Sequence, residues 1–226
     1  MKECIVSIET ATTVCSVALH QGTELIHVVR EENPRQAASR LAVMIDELLR
    51  QTAVASDVIK AVAVSSGPGS YTGLRIGVAT AKGLAMAWQV PLIAVDTLHL
   101  LASQGKEWQA ADFYCPLIDA RRMEVYAQVF DHRLMPQSNK QALEVSPTSF
   151  GPWLEKGKVA FVGNGAAKSA SVVTHPNAVW LAEVKPEAGS LGALAYQKWK
   201  EGQVEDIFSF EPFYLKEFLV KTKTRK

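Results

Sequence analysis

The sequence predicts an α/β protein of two related lobes, which arise by duplication of one βββαβα unit. Short β-branched runs alternate along the chain with longer segments of helical period. The order strand, strand, strand, helix, strand occurs once in each half, which indicates a duplication. The 226 residues, 48% of them hydrophobic, are enough to bury a substantial core. We place the division near residues 105–112, which gives an N-terminal lobe at 1–108 and a C-terminal lobe at 109–226.

The first half opens with three strands joined by short turns, as expected for a meander. These strands are predicted at 5–10, 14–20 and 25–30. An amphipathic helix over 35–51 follows, because four apolar residues recur at the three- and four-residue spacing of one helical face. This stripe consists of Leu41, Met44, Ile45 and Leu48.

The next elements surround a glycine-rich loop. A strand at 61–66 leads into the loop, and a long helix over 71–88 follows it. Ser70 or Thr72 is a candidate cap for this helix, since a side-chain oxygen can accept a hydrogen bond from its first turn. A strand at 90–95 and a helix at 97–104 complete the half.

The second half repeats this plan with weaker signals. Ser146 and Pro147 predict a helix start, with serine as the N-cap and proline at the first helical position. The predicted elements are strands at 113–118, 123–130, 142–145 and 158–162, and helices at 146–155 and 187–200.

Polar residues and glycines follow several of these strands, and ligands of open α/β sheets gather at the carboxyl ends of strands. The candidate nucleotide-binding residues are Glu9, Thr10, Gly67, Gly69, Ser70, Thr72, Asp119, Gly163 and Gly165. The loop does not match a standard fingerprint, because it lacks the Walker lysine and its glycine spacing differs from the dinucleotide motif. On spacing alone, a tight strand-to-helix turn without a ligand is the favoured interpretation, since glycine-rich turns outnumber phosphate sites.

The helix after the loop carries small residues every four positions, at Gly73, Gly77, Ala81 and Ala85. Residues at this spacing lie along one face of a helix. Each interior glycine costs about 1 kcal/mol of helix stability relative to alanine. Such a face indicates close packing of another backbone, either from the chain's own sheet or from a partner subunit.

Composition restricts the classes of function. The formal net charge of +1 argues against autonomous, nonspecific nucleic-acid binding. A basic tail at 221–226 is interpreted as a frayed terminus. Cys4, Cys15 and Cys115 lie in apolar runs and are expected to be buried reduced thiols. The chain begins directly with a strand, and we expect a cytoplasmic protein without a signal peptide or membrane span.

No metal or catalytic set emerges from the remaining polar residues. The five histidines are scattered without ligand spacing. Neither a Ser-His-Asp set nor a metalloprotease helix can be identified. We therefore predict no catalytic residue and no metal ligand.

Several stretches together resemble the TsaB (YeaZ) family, which is paralogous to TsaD. The residues that carry the resemblance are 8–11, 15–19, 67–85, 90–92, 119–126 and 212–216. The segment Gly67 to Ala85, beginning Gly-Pro-Gly-Ser-Tyr-Thr-Gly-Leu-Arg, is the most specific of them. Residues 105–112 and 131–185 match weakly.

The resemblance implies an actin-like ATPase (ribonuclease H-like) fold. It also implies an accessory, non-catalytic subunit that supports TsaD in making threonylcarbamoyladenosine beside the anticodon of tRNA. TsaD would be the heterodimer partner, TsaE would join the pair, and tRNA would be met only through the complex. The isolated chain would be a homodimer. No cofactor of its own is implied, and weak ATP or ADP binding, alone or at a subunit interface, stays open.

Pairing in this family uses the helices that correspond to 35–50 and 71–88. The resemblance thus implies that the apolar stripe of the first helix and the small-residue face of the second contact a partner subunit. The predicted interface residues are Leu41, Met44, Ile45, Leu48, Gly73, Gly77, Ala81 and Ala85.

The alternative is an actin-like ATPase or small-molecule kinase that acts on its own. Such an enzyme would need a carboxylate with glycine at its second phosphate turn. Here Asp119 is followed by Ala120 and Arg121, which crowd the turn. The helix over 35–51 also lacks the histidine pair with which TsaD-like enzymes hold a metal. We therefore rank the enzyme below the accessory role.

Overall fold

The computed structural model describes residues 3–216, apart from the side chains of 34–38. The first half forms a five-stranded sheet, the first sheet, in the order β3-β2-β1-β4-β5. Its strands are β1 (Cys4–Glu9), β2 (Cys15–Gln21), β3 (Glu24–Glu31), β4 (Ile59–Ser65) and β5 (Leu92–Val95). The first three strands are antiparallel neighbours, whereas β1, β4 and β5 run parallel. The helices are α1 (Pro34–Thr52), α2 (Tyr71–Trp88) and α3 (Thr97–Trp108), with a 3-10 turn at Ser56–Val58.

The second sheet has the order β11-β10-β6-β7-β9, with β8 paired to β6. Its strands are β6 (Phe113–Asp119), β7 (Glu124–Ala127), β8 (Phe130–Asp131), β9 (Gln141–Glu144), β10 (Val159–Val162) and β11 (Ala178–Leu181). The helices are α4 (Gly151–Leu154), α5 (Ala166–Ala170) and α6 (Ala188–Lys200). Reading β6, β7, β9, β10 and β11 as strands one to five reproduces the 3-2-1-4-5 order of the first sheet. The predicted duplication is confirmed.

The second half departs from prediction in three places. The helix predicted over 146–155 is reduced to Gly151–Leu154, because Ser146 and Ser149 bond to each other in a turn that precedes it. The predicted strand 123–130 is divided between β7 and β8, and α5 and β11 were not predicted. The shortened helix, α5 and β11 fall within residues 131–185, where the resemblance is weak, whereas the divided strand lies just before them.

One face of the first sheet is covered by α1 and α2. The stripe of α1 packs into this core, where Leu41, Met44, Ile45 and Leu48 are at most 5% exposed. Ala81 and Ala85 of α2 join the same cluster and are fully buried. The apolar faces of both helices therefore serve the chain's own core.

The last helix of each half packs on the sheet of the other half. Leu98 and Leu101 of α3 lie in a cluster with Tyr114 of the second sheet. Leu191 of α6 lies in a cluster with Ile5 and other residues of the first sheet. The division at 1–108 and 109–226 stays a prediction, and α6, which follows residue 108, packs on the first sheet.

The segment after α6 also returns to the first sheet. The Glu205 amide donates to the Leu92 carbonyl at 2.9 Å, and the Phe213 amide donates to the Ser66 carbonyl at 2.7 Å. Phe210 packs against the core between these points. We call residues 201–216 the strap. The basic tail at 221–226 lies outside the described residues.

None of the helices within residues 3–216 combines the length and the apolar character that crossing a membrane requires.

Candidate functional site

The glycine-rich loop lies against the turn that follows β1, and its glycines permit this contact. A Cβ atom on Gly69 would lie 2.3 Å from the Ala11 carbonyl oxygen, and one on Gly73 would lie 2.1 Å from that of Thr10. The Ser70 amide donates to the Ala11 carbonyl at 2.7 Å. These distances leave no room for a side chain, so the glycines bring two backbones of the same chain together.

The loop and the first turn of α2 contact other parts of the chain on several sides. Ser70 accepts a hydrogen bond from the Gly73 amide, which confirms it as the N-cap. Gly67 has a φ of +105°, and its amide donates to the Thr97 hydroxyl at 3.1 Å. A Cβ atom on Gly67 would meet the Phe213 carbonyl of the strap at 2.5 Å. Ser70 and Thr72 are the exposed residues of this group.

Glu9 ends β1 with its carboxyl group fully buried. One carboxyl oxygen accepts a hydrogen bond from the Ala11 amide, and Oε2 has no partner among the described residues. Burial raises the pKa of Glu9 to about 7, with the Ala11 amide acting in the opposite direction. Opposite Glu9 in the β1–β2 ladder, Ser16 accepts a hydrogen bond from the Ala188 amide at the start of α6. The end of β1 is thus covered by α6.

The corresponding turn of the second sheet is held by an internal cation. The Lys168 ammonium donates to the Asp119 carboxylate and to the carbonyls of Arg122 and Glu124. Asp119 also accepts from the Arg121 amide at 2.8 Å, and both arginines have positive φ angles. The Asp119 carboxylate therefore orders its own turn.

Gly163 and Gly165 lie beside this turn, against the backbone of β6. A Cβ atom on either would lie within 3.0 Å of Leu117 backbone atoms. Asn164 between them accepts a hydrogen bond from the Asp119 amide at 2.9 Å. The predicted nucleotide-binding residues thus fall into two groups, one at each duplicated turn, and each group is engaged in contacts within the chain. Nucleotide binding stays a prediction.

The predicted interface residues do not form an exposed surface. Leu41, Met44, Ile45, Leu48, Gly77, Ala81 and Ala85 are buried in the folded chain, and Gly73 is half-buried. An apolar stripe has the same spacing whether it meets a sheet or a second chain, and here the stripe meets the chain's own sheet; contact of this set with a partner stays a prediction. Gly73 and Gly77 are explained by close contacts with Thr10.

A different face of α2 is open to solvent. Ala79, Gly83 and Ala87 are exposed at four-residue spacing, and Met86 beside them is 55% exposed. A Cβ atom on Gly83 would meet no described atom within 4 Å. Val43 of α1 is 49% exposed. In the sequence, the small residues at these positions could have indicated this open face. The other series of small residues, which is buried in the structure, has the same spacing and is longer, so it drew the prediction.

Among the described residues, no three His, Cys, Asp or Glu side chains come together as a metal-binding group. The three cysteines are buried, as predicted. Burial also raises the pKa of Cys15 to about 11, which leaves its thiol protonated. With Asp119 engaged by Lys168, the geometry does not favour the ATPase or kinase alternative.

Comparison with known proteins gives consistent relatives. The family model described as TsaD, tRNA N6-adenosine threonylcarbamoyltransferase, matches residues 23–172, more than half of the chain. The tRNA threonylcarbamoyladenosine biosynthesis protein TsaB of Escherichia coli is 31% identical over 223 residues, with 94% of each chain covered. The protein of the same name from Haemophilus influenzae is 30% identical over 221 residues, covering 94% of this chain and 93% of the relative.

Solved structures agree with these relatives. YeaZ from Pseudomonas aeruginosa has a TM-score of 0.84 and 30% identity, covering 94% of this chain and 100% of that one. The ethanolamine utilization protein EutJ from Carboxydothermus hydrogenoformans, at 9% identity and a TM-score of 0.50, shares the fold alone. The predicted actin-like ATPase fold is confirmed. The family model, the curated relatives and the solved structures all indicate one family. The chain belongs to the TsaB (YeaZ) family, within the group that the TsaD model describes.

Proposed function

We propose that this chain is the accessory, non-catalytic subunit of a complex that makes threonylcarbamoyladenosine in tRNA. In this proposal it pairs with TsaD, which carries the transfer chemistry, and TsaE joins the pair. The chain alone forms a homodimer, meets tRNA only through the complex and acts in the cytoplasm. It needs no cofactor of its own, and any ATP or ADP binding is weak or at a subunit interface.

The observation that carries the proposal is Gly83. A glycine inside a helix costs about 1 kcal/mol relative to alanine, and a close contact normally explains its presence. Gly73 and Gly77 have such contacts within the chain, whereas Gly83 faces open space among the described residues. A helix of a partner subunit packing closely on this face accounts for the glycine. Met86, three residues further along α2, is exposed and supplies apolar area near it.

The proposal is tested with Gly83→Arg. Arginine is a good helix former and would meet no described atom near its Cβ, so the fold should be kept. Its bulk and charge should abolish co-elution with TsaD in size-exclusion chromatography with light scattering. The matched control is Gly151→Arg, which places the same side chain on α4 of the second lobe at another glycine with open space. Pairing that survives Gly83→Arg would contradict the proposed interface.

A further inference from the structure

The strap runs along one flank of α2, and contacts at two levels of the helix hold it there. At the start of α2, the ring of Tyr71 contacts the ring of Tyr214, with the centroids 5.0 Å apart. About three turns further along, the Lys82 ammonium donates to the Phe210 carbonyl at 3.0 Å and to the Phe208 carbonyl at 3.4 Å. Because residues 71 and 82 lie on the same side of the helix, the strap borders the open face of α2 over most of its length.

Phe208 is the most exposed large apolar side chain that the structure describes, at 85%. The backbone that carries it is nevertheless anchored. The Asp206 carboxylate accepts hydrogen bonds from the Phe208 amide at 2.8 Å and from the Ser209 amide at 3.2 Å, and Ile207 and Phe210 pack against the core on either side. An aromatic ring on an anchored backbone loses little conformational freedom when a partner covers it.

The open face of α2 is too small to be a complete partner surface. The helix has 18 residues, so one face of it is about 27 Å long and about 10 Å wide. A stable protein–protein interface buries about 800 Å² on each partner. The face alone supplies roughly a third of that area, so a surface that pairs through α2 has to extend onto a neighbouring element.

The strap is the neighbour whose composition suits an interface. On the other side, α1 exposes Val43 together with the ion pair between Asp46 and Arg50. On the strap side, exposed Phe208 lies at the level of Lys82, and exposed Met86 follows one turn later on α2. The centres of interfaces are enriched in aromatic residues and methionine and depleted in charged residues. The strap flank therefore continues the open face better than α1 does.

We propose that the strap and the open face of α2 form one partner-binding surface, in which the Phe208 ring is an anchor that enters an apolar pocket of the partner. This inference rests on the proposed function, and the occupant is the TsaD subunit that this function names. The partner must offer a helix that packs closely over Gly83 and an apolar pocket beside it. The last described segment of the chain, which follows both sheets, thus takes part in subunit pairing.

The first test is surface plasmon resonance of the full chain with purified TsaD. Phe208→Ala should weaken binding at least tenfold, as truncation of an aromatic anchor does. Its melting temperature should not change, because the ring is exposed in the isolated chain. The matched control is Trp108→Ala, which truncates another exposed aromatic side chain at the end of α3, outside the strap and α2, and should bind as the unaltered chain does.

The second test is photocrosslinking in the complex with purified TsaD. A benzoylphenylalanine in place of Phe208 should crosslink to TsaD on irradiation, and the same substitution at Trp108 should give no crosslink. Two residue positions with similar exposure but different locations are thus compared in one complex.

The outcomes separate this inference from the function on which it rests. Unchanged affinity of Phe208→Ala would overturn the inference while the proposed function stands, provided that the unaltered chain binds TsaD and Gly83→Arg does not. A crosslink from position 208 to a second copy of this chain, with none to TsaD, would also overturn it. If the unaltered chain does not bind TsaD, the proposed function fails and the inference falls with it.

Discussion

Glu9 makes the stability of the fold depend on pH. Its pKa in the folded chain is about 7, well above the ordinary carboxyl value of 4.5, because burial disfavours the charged form. The folded chain therefore keeps a proton that the unfolded chain loses, and stability falls as pH rises from about 4.5 to 7. The full loss is about 3 kcal/mol at 1.36 kcal/mol for each pKa unit.

The measurement is urea unfolding of the unaltered chain and of Glu9→Gln between pH 5 and 8. Glutamine stays neutral, so the stability of the variant relative to the unaltered chain should rise with pH. His20, whose pKa is lowered by burial, acts in the opposite direction as pH falls, and its contribution cancels in this difference. A difference that is the same at pH 5 and pH 8 would show that Glu9 is not the titrating group.

Asp119 provides a test of the non-catalytic role at the scale of a single side chain. Its carboxylate holds Lys168 and the Arg121 amide, so Asp119→Asn should leave tRNA modification nearly unchanged in a reconstituted system with TsaD and TsaE. The ion pair is partly exposed, and its loss should cost no more than about 1 kcal/mol of stability. A large loss of tRNA-modification activity with a correctly folded variant would show that this turn takes part in catalysis.

Within the helix α2, one glycine has room for a side chain and another does not. Gly83→Ala should stabilise the isolated chain by about 1 kcal/mol, because alanine favours the helix and meets no described atom. Gly73→Ala should destabilise it by about 2 kcal/mol, because the new Cβ would lie 2.1 Å from the Thr10 carbonyl oxygen. Thermal unfolding of the two variants measures both effects. Equal shifts of the same sign would contradict this account of the helix.

The bounds of α2 were predictable because local chemistry fixes them. Ser70 caps the first turn, and the helix ends at Trp88, which is followed by Gln89 in a left-handed conformation. The predicted range 71–88 agrees with the observed helix. By contrast, α5 and β11 are short, and each is defined mainly by contacts with the second sheet, so local patterns did not identify them.

The partner surface could not be read from helical period alone. Ile45 and Ala81 share the spacing expected of an interface, and both are buried against the first sheet. Which side of α2 meets the sheet depends on tertiary packing, which sequence spacing does not encode. The glycine-rich loop was ambiguous for a related reason. Its glycines are needed because the loop packs against the turn at Thr10 and Ala11, and these two segments lie far apart in the sequence.

The whole molecule should unfold as one unit, because α3 and α6 cross between its sheets. A fragment of residues 1–108 lacks α6 and would expose Ile5, Ala63 and Ile93, which α6 covers in the full chain. We expect this fragment to bind a hydrophobic dye and to show no cooperative thermal transition, while the full chain shows a single one. A sharp transition in the fragment would mean that the first lobe is stable without α6.

The position of α6 also determines when the chain can fold during its synthesis. Domains commonly fold from the N-terminus as the ribosome releases them. Here the first strands emerge early, but the helix that covers one face of their sheet, Ala188–Lys200, follows every strand of both sheets in the chain. The nascent chain therefore carries one uncovered apolar face of the first sheet until residues 188–200 have been made. Chaperone contact during synthesis, and rapid degradation of chains truncated before residue 188, follow from this order.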